Sequence, residues 1–312
     1  MEKSRTKKKS ESKEANTSIE NAVLANEDPK SFKSYANSDD KNNNLMKSAT
    51  GLISASKLIS VGCHIGLHPS KWNPKMKAYI HARKETNDII DIVKTLIFLK
   101  RACTFLEELT KEGGSLLIVG TRGKILKKYI EEEAQRSNSF YVVQRWLGGT
   151  LTNFKNIKKS IKKMNDNLQS ISEGTIENYT KKEQLLIQKE TNKLVKFYGG
   201  IKDMRRLPNA ILILNPVNDI NAIKEARKLN IPVISLANTN ADPQLIDYII
   251  PMNNNSITSI ILILNILIDS ICKVRGEPTK VIDVPEDQIV LVEKQPKVKK
   301  PGVHHKKFSR NH

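Results

Sequence analysis

The chain has 312 residues, of which 38% are hydrophobic and 27% charged, and its formal net charge is +19. It is long enough to bury a sizeable core in one large domain or two modest ones. Its cysteines, Cys63, Cys103 and Cys272, form no CxxC pair, which argues against a disulfide frame and indicates a reduced, cytosol-like compartment. The charge indicates a polyanionic partner such as nucleic acid, unless it only reflects a composition rich in Lys, Asn and Ile.

The N-terminal segment 1–47 is rich in Ser, Lys, Asn and Glu and has few large apolar residues. Burial of so few side chains does not offset the entropy lost on ordering, so we predict disorder there. It has no apolar run for a signal peptide and too many acidic residues for a transit peptide. Residues 1–50 carry +2 and residues 277–312 carry +3, which leaves +14 of the total for residues 51–276.

A short helix is predicted from Ser48 to Val61, followed by a turn at residues 62–66. Cys63, His64 and His68 could be read as metal ligands, but a structural turn is the simpler interpretation, and we predict no metal site.

The segment 72–76 has the sequence WNPKM, and its proline favours an extended Asn73. Trp72 next to basic residues could stack on and neutralise RNA, or it could only plug the edge of the core. Residues 79–83 and 88–92 resemble the two strands of a short β-ribbon. The candidate RNA contacts in this region are Trp72, Asn73, Lys75 and Arg83.

The remainder alternates between strands and helices, which predicts a parallel sheet with right-handed crossovers. We predict strands at residues 116–120, 140–143, 210–214, 231–236 and 248–250, and helices at 93–111, 125–137, 219–229 and 256–274. The apolar run 257–268 is short and contains Asn265, so it indicates a buried helix and not a membrane span.

The loop Thr121–Lys124 follows the first buried strand, where α/β sheets commonly bind ligands. It matches neither a phosphate-binding loop, because residues 118 and 125 are both Ile, nor a GxGxxG motif. Arg122 and Lys124 beside a helix N-terminus would still suit an RNA phosphate.

Residues 151–198 leave the sheet as an antiparallel helical hairpin. Apolar residues spaced by three or four form the predicted seam of its first helix: Leu151, Phe154, Ile157, Ile161, Met164, Leu168 and Ile171. Five lysines lie off this seam: Lys155, Lys158, Lys159, Lys162 and Lys163. Acidic residues are nearly absent before Asp166, so this face is predicted to bind phosphate and not merely to be solvated.

At the root of the hairpin stand two glycine pairs, Gly148–Gly149 and Gly199–Gly200. The first pair is predicted to let the chain leave a strand and enter a helix within two residues, so that neither Gly148 nor Gly149 should tolerate a bulky side chain. The remaining candidate RNA contacts lie at this root: Arg145, Trp146, Asn153, Lys202, Arg205 and Arg206. Asp203 and Asp242 have no catalytic partner set by spacing and are interpreted as turn caps.

Three motifs in order, WNPKM, RWLGGTLTNF at 145–154 and GGIKDM at 199–204, resemble those of the bacterial-type ribosomal protein S2 family over residues 58–274. The resemblance implies a flavodoxin-like parallel sheet flanked by helices, with an inserted coiled-coil hairpin. It also implies a non-enzymatic, cytoplasmic protein without a cofactor, one copy per small ribosomal subunit. Such a protein binds small-subunit rRNA between head and body late in assembly, contacts neighbouring ribosomal proteins, and helps to dock ribosomal protein S1 where that exists.

Two positions depart from the family pattern. Leu67 stands where the family usually has a second His, and Asn238 where it usually has Asp, which weakens a cation site at Asp242. Two other functions remain open: a non-ribosomal RNA-binding adaptor and an α/β nucleotide-dependent enzyme.

The sequence thus divides into a disordered extension (1–47), an α/β RNA-binding domain (48–150 with 199–275), the hairpin (151–198) and a flexible basic tail (276–312). The tail has seven Lys or Arg and no acidic residue from Lys294 onward. It could contact rRNA or be an inert, solubilising segment.

Overall fold

The structure, a computed structural model, describes residues 52–84, 86–121, 123–175, 179–285 and 289. The extension predicted to be disordered, the basic end of the tail and Arg122 lie outside the described residues. The strands are β1 (Ile80–Arg83), β2 (Asp88–Ile90), β3 (Leu116–Val119), β4 (Phe140–Val142), β5 (Ala210–Ile213), β6 (Val233–Ala237) and β7 (Tyr248–Pro251). The α-helices are α1 (Ala55–Ser60), α2 (Ile92–Lys111), α3 (Lys124–Arg136), α4 (Phe154–Ser172), α5 (Lys181–Tyr198), α6 (Ile220–Lys228) and α7 (Ile257–Arg275).

Strands β3 to β7 form one five-stranded sheet in the order β4-β3-β5-β6-β7, and every neighbouring pair is parallel. This order is that of flavodoxin-like sheets. The predicted α/β class and parallel sheet are therefore confirmed. Strand β3 shows why the sheet is central: Leu116 and Ile118 contribute to one apolar cluster, and Leu117 and Val119 to the other. Since alternate side chains of a strand point to opposite faces, both faces are covered.

Helices α2 and α7 cover one face of the sheet. Apolar side chains of α2 at helical spacing, Leu96, Leu99 and Leu106, are fully buried. All residues of α7 from 259 to 272 are buried. Within the described residues, α7 is the one helix long and apolar enough to cross a membrane by length and composition. Its burial confirms the prediction of a buried helix.

Strands β1 and β2 form a separate antiparallel ribbon in which Arg83 pairs with Asp88. The ribbon confirms the two short strands predicted for this segment. A small apolar cluster joins Met76 of the WNPKM segment to Ala237 and Ile249 of the large sheet. The WNPKM segment is thereby tied to the sheet edge.

Helices α4 and α5 form a pair whose common root lies on the second face of the sheet. The buried side chains Ile157, Ile161 and Met164 of α4 belong to the apolar cluster of that face, and Leu194 and Tyr198 of α5 pack against it. The start of α4 and the end of α5 thus meet the same core, so the two helices run antiparallel. Farther along, several large apolar side chains of the pair are 38–58% exposed: Leu168, Ile171, Leu185, Leu186 and Val195.

The predicted hairpin seam is thus buried only up to Met164, because the core cluster of the sheet ends there. Leu168 and Ile171 have the right spacing for a seam, but they are 41% and 38% exposed.

The chain stays packed beyond α7, past the predicted start of the tail at residue 276. Asp269, which is fully buried, accepts hydrogen bonds from the backbone N–H groups of Lys280, Val281 and Ile282 (2.6–3.2 Å). Its other oxygen accepts a hydrogen bond from Arg136 at 2.7 Å. A buried carboxylate needs such partners, and residues 276–285 supply them, so this stretch belongs with the core.

Candidate nucleic-acid interface

The loop 143–153, which connects β4 to α4, is organised by a residue outside it, Glu225 of α6. One carboxylate oxygen of Glu225 accepts hydrogen bonds from Trp146 Nε1 (3.0 Å) and from the N–H of Gly149 (2.8 Å). The other oxygen accepts from the N–H groups of Leu151 (3.0 Å) and Thr152 (3.2 Å). A single side chain therefore fixes the direction in which the hairpin leaves the sheet domain.

The electrostatics of Glu225 fit this role. Burial alone would raise the pKa of Glu225, but the hydrogen bonds from Trp146, Leu151, Gly149 and Thr152 outweigh it and lower the pKa below its usual value. The charged carboxylate is the form that these donors stabilise. Glu225 could not be recognised from the sequence, because it lies more than 70 residues from its partners and belongs to no local motif.

Trp146 does not reach the surface as an RNA contact would require. Its side chain is 7% exposed and its ring nitrogen is used by Glu225, so it cannot stack on a base. The structure therefore makes Trp146 a structural residue of the root. Its neighbour Arg145 is exposed, and so are Asn153, Lys202, Arg205 and Arg206.

Of the two glycines predicted not to tolerate a bulky side chain, Gly149 fits the prediction and Gly148 does not. Gly149 has a positive φ of 86°, a conformation that favours glycine. A Cβ on Gly200 would lie 2.2 Å from the backbone oxygen of Tyr141 in β4. Gly148 has no atom within 4 Å of a Cβ placed on it and no positive φ, so the predicted intolerance of Gly148 is wrong. The loop 143–153 is long enough to turn the chain without a constraint at that position.

The five lysines of α4 are all exposed. Lys163 forms an ion pair with Glu190 of α5, so the predicted lack of compensation does not hold at this position. The Nζ atom of Lys158 lies 5.1 Å from the centre of the Phe154 ring. Among the described residues, Lys155, Lys159 and Lys162 have no acidic partner within ion-pair distance. These three lysines remain available for a polyanion.

In the loop after β3, Thr121 contacts Asp219, the residue that precedes α6. The hydroxyl of Thr121 donates to Asp219 at 3.0 Å, and burial raises the pKa of Asp219 more than this bond lowers it. Lys124 begins α3 and is exposed, and Gly123 before it has a φ of 73° with no side-chain cap on the helix.

The WNPKM segment meets the far edge of the sheet through Lys75. Its ammonium group donates to Asp242 at 2.8 Å and to Gln244 at 2.7 Å, and the hydrogen bond from Lys75 is the main cause that lowers the pKa of Asp242. The carboxylate interpreted as a turn cap also caps the turn at Gln244. Asn73 caps the next turn by accepting from the N–H of Lys75. Lys75 is thus partly neutralised, which weakens it as an RNA contact.

The cysteines do not form a reactive or metal-binding centre. Burial raises the pKa of Cys63 and of Cys103 to about 12 and that of Cys272 to about 11, so all three thiols are protonated at neutral pH. The residues described in the structure contain no group of three His, Cys, Asp or Glu side chains placed to hold a metal ion.

Comparison with known proteins agrees with the motifs of the sequence. The family model described as "Ribosomal protein S2" matches residues 58–274. The small ribosomal subunit protein uS2 of Ureaplasma parvum serovar 3 is 59% identical over 251 residues, which cover 80% of this chain and 72% of that protein. The uS2 protein of Malacoplasma penetrans is 46% identical (78% and 67% covered), and that of Mycoplasma genitalium 42% (77% and 84%). The chain therefore belongs to the ribosomal protein S2 family, whose members are structural ribosomal proteins and not enzymes.

Proposed function

We propose that this protein is a structural constituent of the small ribosomal subunit that binds small-subunit rRNA between head and body. The observation that carries the proposal is the exposed basic face of α4, where Lys155, Lys159 and Lys162 have no acidic partner among the described residues. Lysines on a helix repel one another, so a folded protein keeps such a face at a cost unless a polyanion covers it.

The basic surface continues from α4 to the hairpin root. Arg145 lies in the loop 143–153 that Glu225 fixes, and Lys202, Arg205 and Arg206 follow α5; all four basic side chains are exposed. Lys124 and, outside the described residues, Arg122 would add a phosphate contact near the end of β3. These contacts are to phosphates, so binding is expected to read the shape and charge of rRNA more than its sequence.

The arrangement of the chain fits a protein that bridges parts of a large RNA. The α/β domain would provide one contact surface, and α4 and α5 would project as a coiled-coil hairpin to provide another. We also propose one copy per subunit, entry late in assembly, contacts with neighbouring small-subunit proteins, including ribosomal protein S1 where present, and a cytoplasmic location in the ribosome. The basic end of the tail, from Lys294 onward, is proposed to be an auxiliary rRNA contact.

The experiment is sedimentation combined with salt titration. In a sucrose gradient the tagged protein should migrate with small subunits and be released by high salt. We expect a triple variant to have a smaller slope of log affinity against log salt, by about one unit for each phosphate that is no longer neutralised. This variant combines Lys155→Gln, Lys159→Gln and Lys162→Gln.

Lys128→Gln serves as the control, because Lys128 is an exposed lysine on α3 with an acidic neighbour, Glu132. Lys128→Gln should reduce the salt slope by less than one third of the reduction measured for the triple variant. Migration of the wild-type protein away from small subunits, or a salt-independent affinity, would contradict the proposed function.

A further inference from the structure

The β-ribbon contains a buried charge that only one residue neutralises among those the structure describes. Asp88 is fully buried, and its Oδ1 accepts a hydrogen bond from Arg83 Nε at 2.9 Å. Its Oδ2 is also buried and has no hydrogen-bond partner in the part of the chain that the structure describes. An unpaired buried carboxylate is costly. Arg83 is therefore held on the ribbon, because its departure would leave Asp88 without a counter-ion.

A second contact fixes the plane of the same guanidinium. Arg83 Cζ lies 4.3 Å from the centre of the Trp72 ring, within the distance of a cation–π contact. The side chain of Arg83 is nevertheless 47% exposed. Its Nη1 and Nη2 atoms have no hydrogen-bond partner among the described residues. The guanidinium is thus immobilised through Nε and one ring face, and its two terminal nitrogens can meet a ligand.

The surroundings favour an anion at these terminal nitrogens. Residues 67–84 contain five basic residues and no Asp or Glu. Lys75 is paired with Asp242, but Lys71, Lys77 and Lys84 are exposed and have no ion-pair partner among the described residues. A positive field of this kind attracts a polyanion before any specific contact is made.

We propose that Arg83 is a preorganised fork that binds one phosphodiester of RNA through Nη1 and Nη2, and that Asp88 is its positioning residue. This inference rests on the proposed function and names a particular contact within it. Guanidinium and phosphate match as two parallel charge-assisted hydrogen bonds. An unrestrained arginine loses side-chain entropy when it binds, whereas Arg83 is already ordered, because Asp88 and Trp72 hold it.

The test separates the shape of the guanidinium from its charge. The affinity of the full-length protein for small subunits that lack it is measured over a range of salt concentrations. Arg83→Lys keeps the charge but replaces the fork by a single ammonium, so the affinity should fall about tenfold while the salt slope is unchanged. Lys84→Ala removes a neighbouring charge and should instead reduce the slope by up to about one unit.

A second pair of variants keeps the test valid if the ammonium introduced by Arg83→Lys cannot neutralise Asp88 and the ribbon unfolds. Asp88→Asn removes the buried charge but keeps an oxygen that accepts from Arg83 Nε. The double variant Asp88→Asn with Arg83→Lys has the same net charge as Asp88→Asn alone and should bind about tenfold more weakly, for the same loss of the fork.

Equal affinities of these two variants would overturn the inference, and Arg83 would then be only the counter-ion of Asp88. That result would leave the proposed function intact if the wild-type protein still bound subunits in a salt-dependent way. Failure of the wild-type protein to bind subunits at any salt concentration would instead reject both.

Discussion

At the residue scale, the glycines of the hairpin root show that identical residues in one motif have different reasons to be there. Gly200 lies against the backbone of β4, so that any side chain would meet the carbonyl oxygen of Tyr141. Gly148 faces open space. The residue type alone does not show which of these glycines is closely packed and which lies in an open loop.

We expect Gly200→Ala to destabilise the protein by about 1–3 kcal/mol, because the added Cβ overpacks a site walled by backbone. Gly148→Ala should change stability by less than about 0.5 kcal/mol, as for other open surface positions. Urea denaturation of both variants measures the difference. Equal stabilities of the two would show that the turn at Gly200 can shift away from β4 without cost.

At the element scale, the hairpin is joined to the sheet domain by α6 through Glu225 and not by the connecting loop alone. Four N–H donors from residues 146–152 converge on this carboxylate. The long first helix could be predicted from its apolar spacing, as could its lysine face. The contact between Glu225 and the loop 143–153 could not be predicted, because it depends on where α6 lies in space.

We expect Glu225→Gln to destabilise the protein by about 1.5–3 kcal/mol, the range for hydrogen bonds to a charged group. The amide keeps one acceptor oxygen but turns an NH₂ group toward N–H donors. The variant should also be incorporated poorly into small subunits, because the direction of the hairpin is no longer fixed. Lys224→Gln, the exposed neighbour on α6, is the control for both the melting temperature and subunit occupancy.

The same residue predicts a pH dependence. Because the folded pKa of Glu225 is lower than the unfolded value of about 4.5, its contribution is complete above that pH and is lost as the pH falls through the folded pKa. The stability difference between wild type and Glu225→Gln should therefore be constant near neutral pH and shrink below about pH 4.5. A stability difference that persisted unchanged into the acid range would mean that the charge of Glu225 does not stabilise the loop 143–153.

At the scale of the whole molecule, the core does not end with α7. Asp269 and Glu133 are both fully buried, and both are partnered by Arg136 and by residues from the segment after α7. Val281 is 2% exposed and Ile289 9%. The last described residues therefore complete the covering of α3 and α7.

We expect a chain that ends at Gly276 to be less stable than the full-length protein by about 3–5 kcal/mol, the cost of breaking a buried charge network. A chain that ends at Val292 keeps every described contact and should melt at the full-length temperature. It lacks the basic end of the tail, so its salt slope of binding should be shallower if that end contacts rRNA. Identical salt slopes for full-length protein and the chain ending at Val292 would mean that the end of the tail contacts nothing.

The sequence by itself determined the α/β class, the buried strands, the long helices and the basic face of α4, because these follow from local periodicity, and several short motifs indicated the family. The tertiary structure decided which candidate residues are available: Trp146 is buried, Lys75 and Lys163 are paired, and Arg83 is held at the surface by Asp88. It also decided that Glu225 fixes the hairpin and that Asp269 retains residues 280–282. The physical reason is that burial and charge pairing depend on residues far apart in the chain. Periodicity shows which face of an element is apolar, but only the packed fold shows what that face meets.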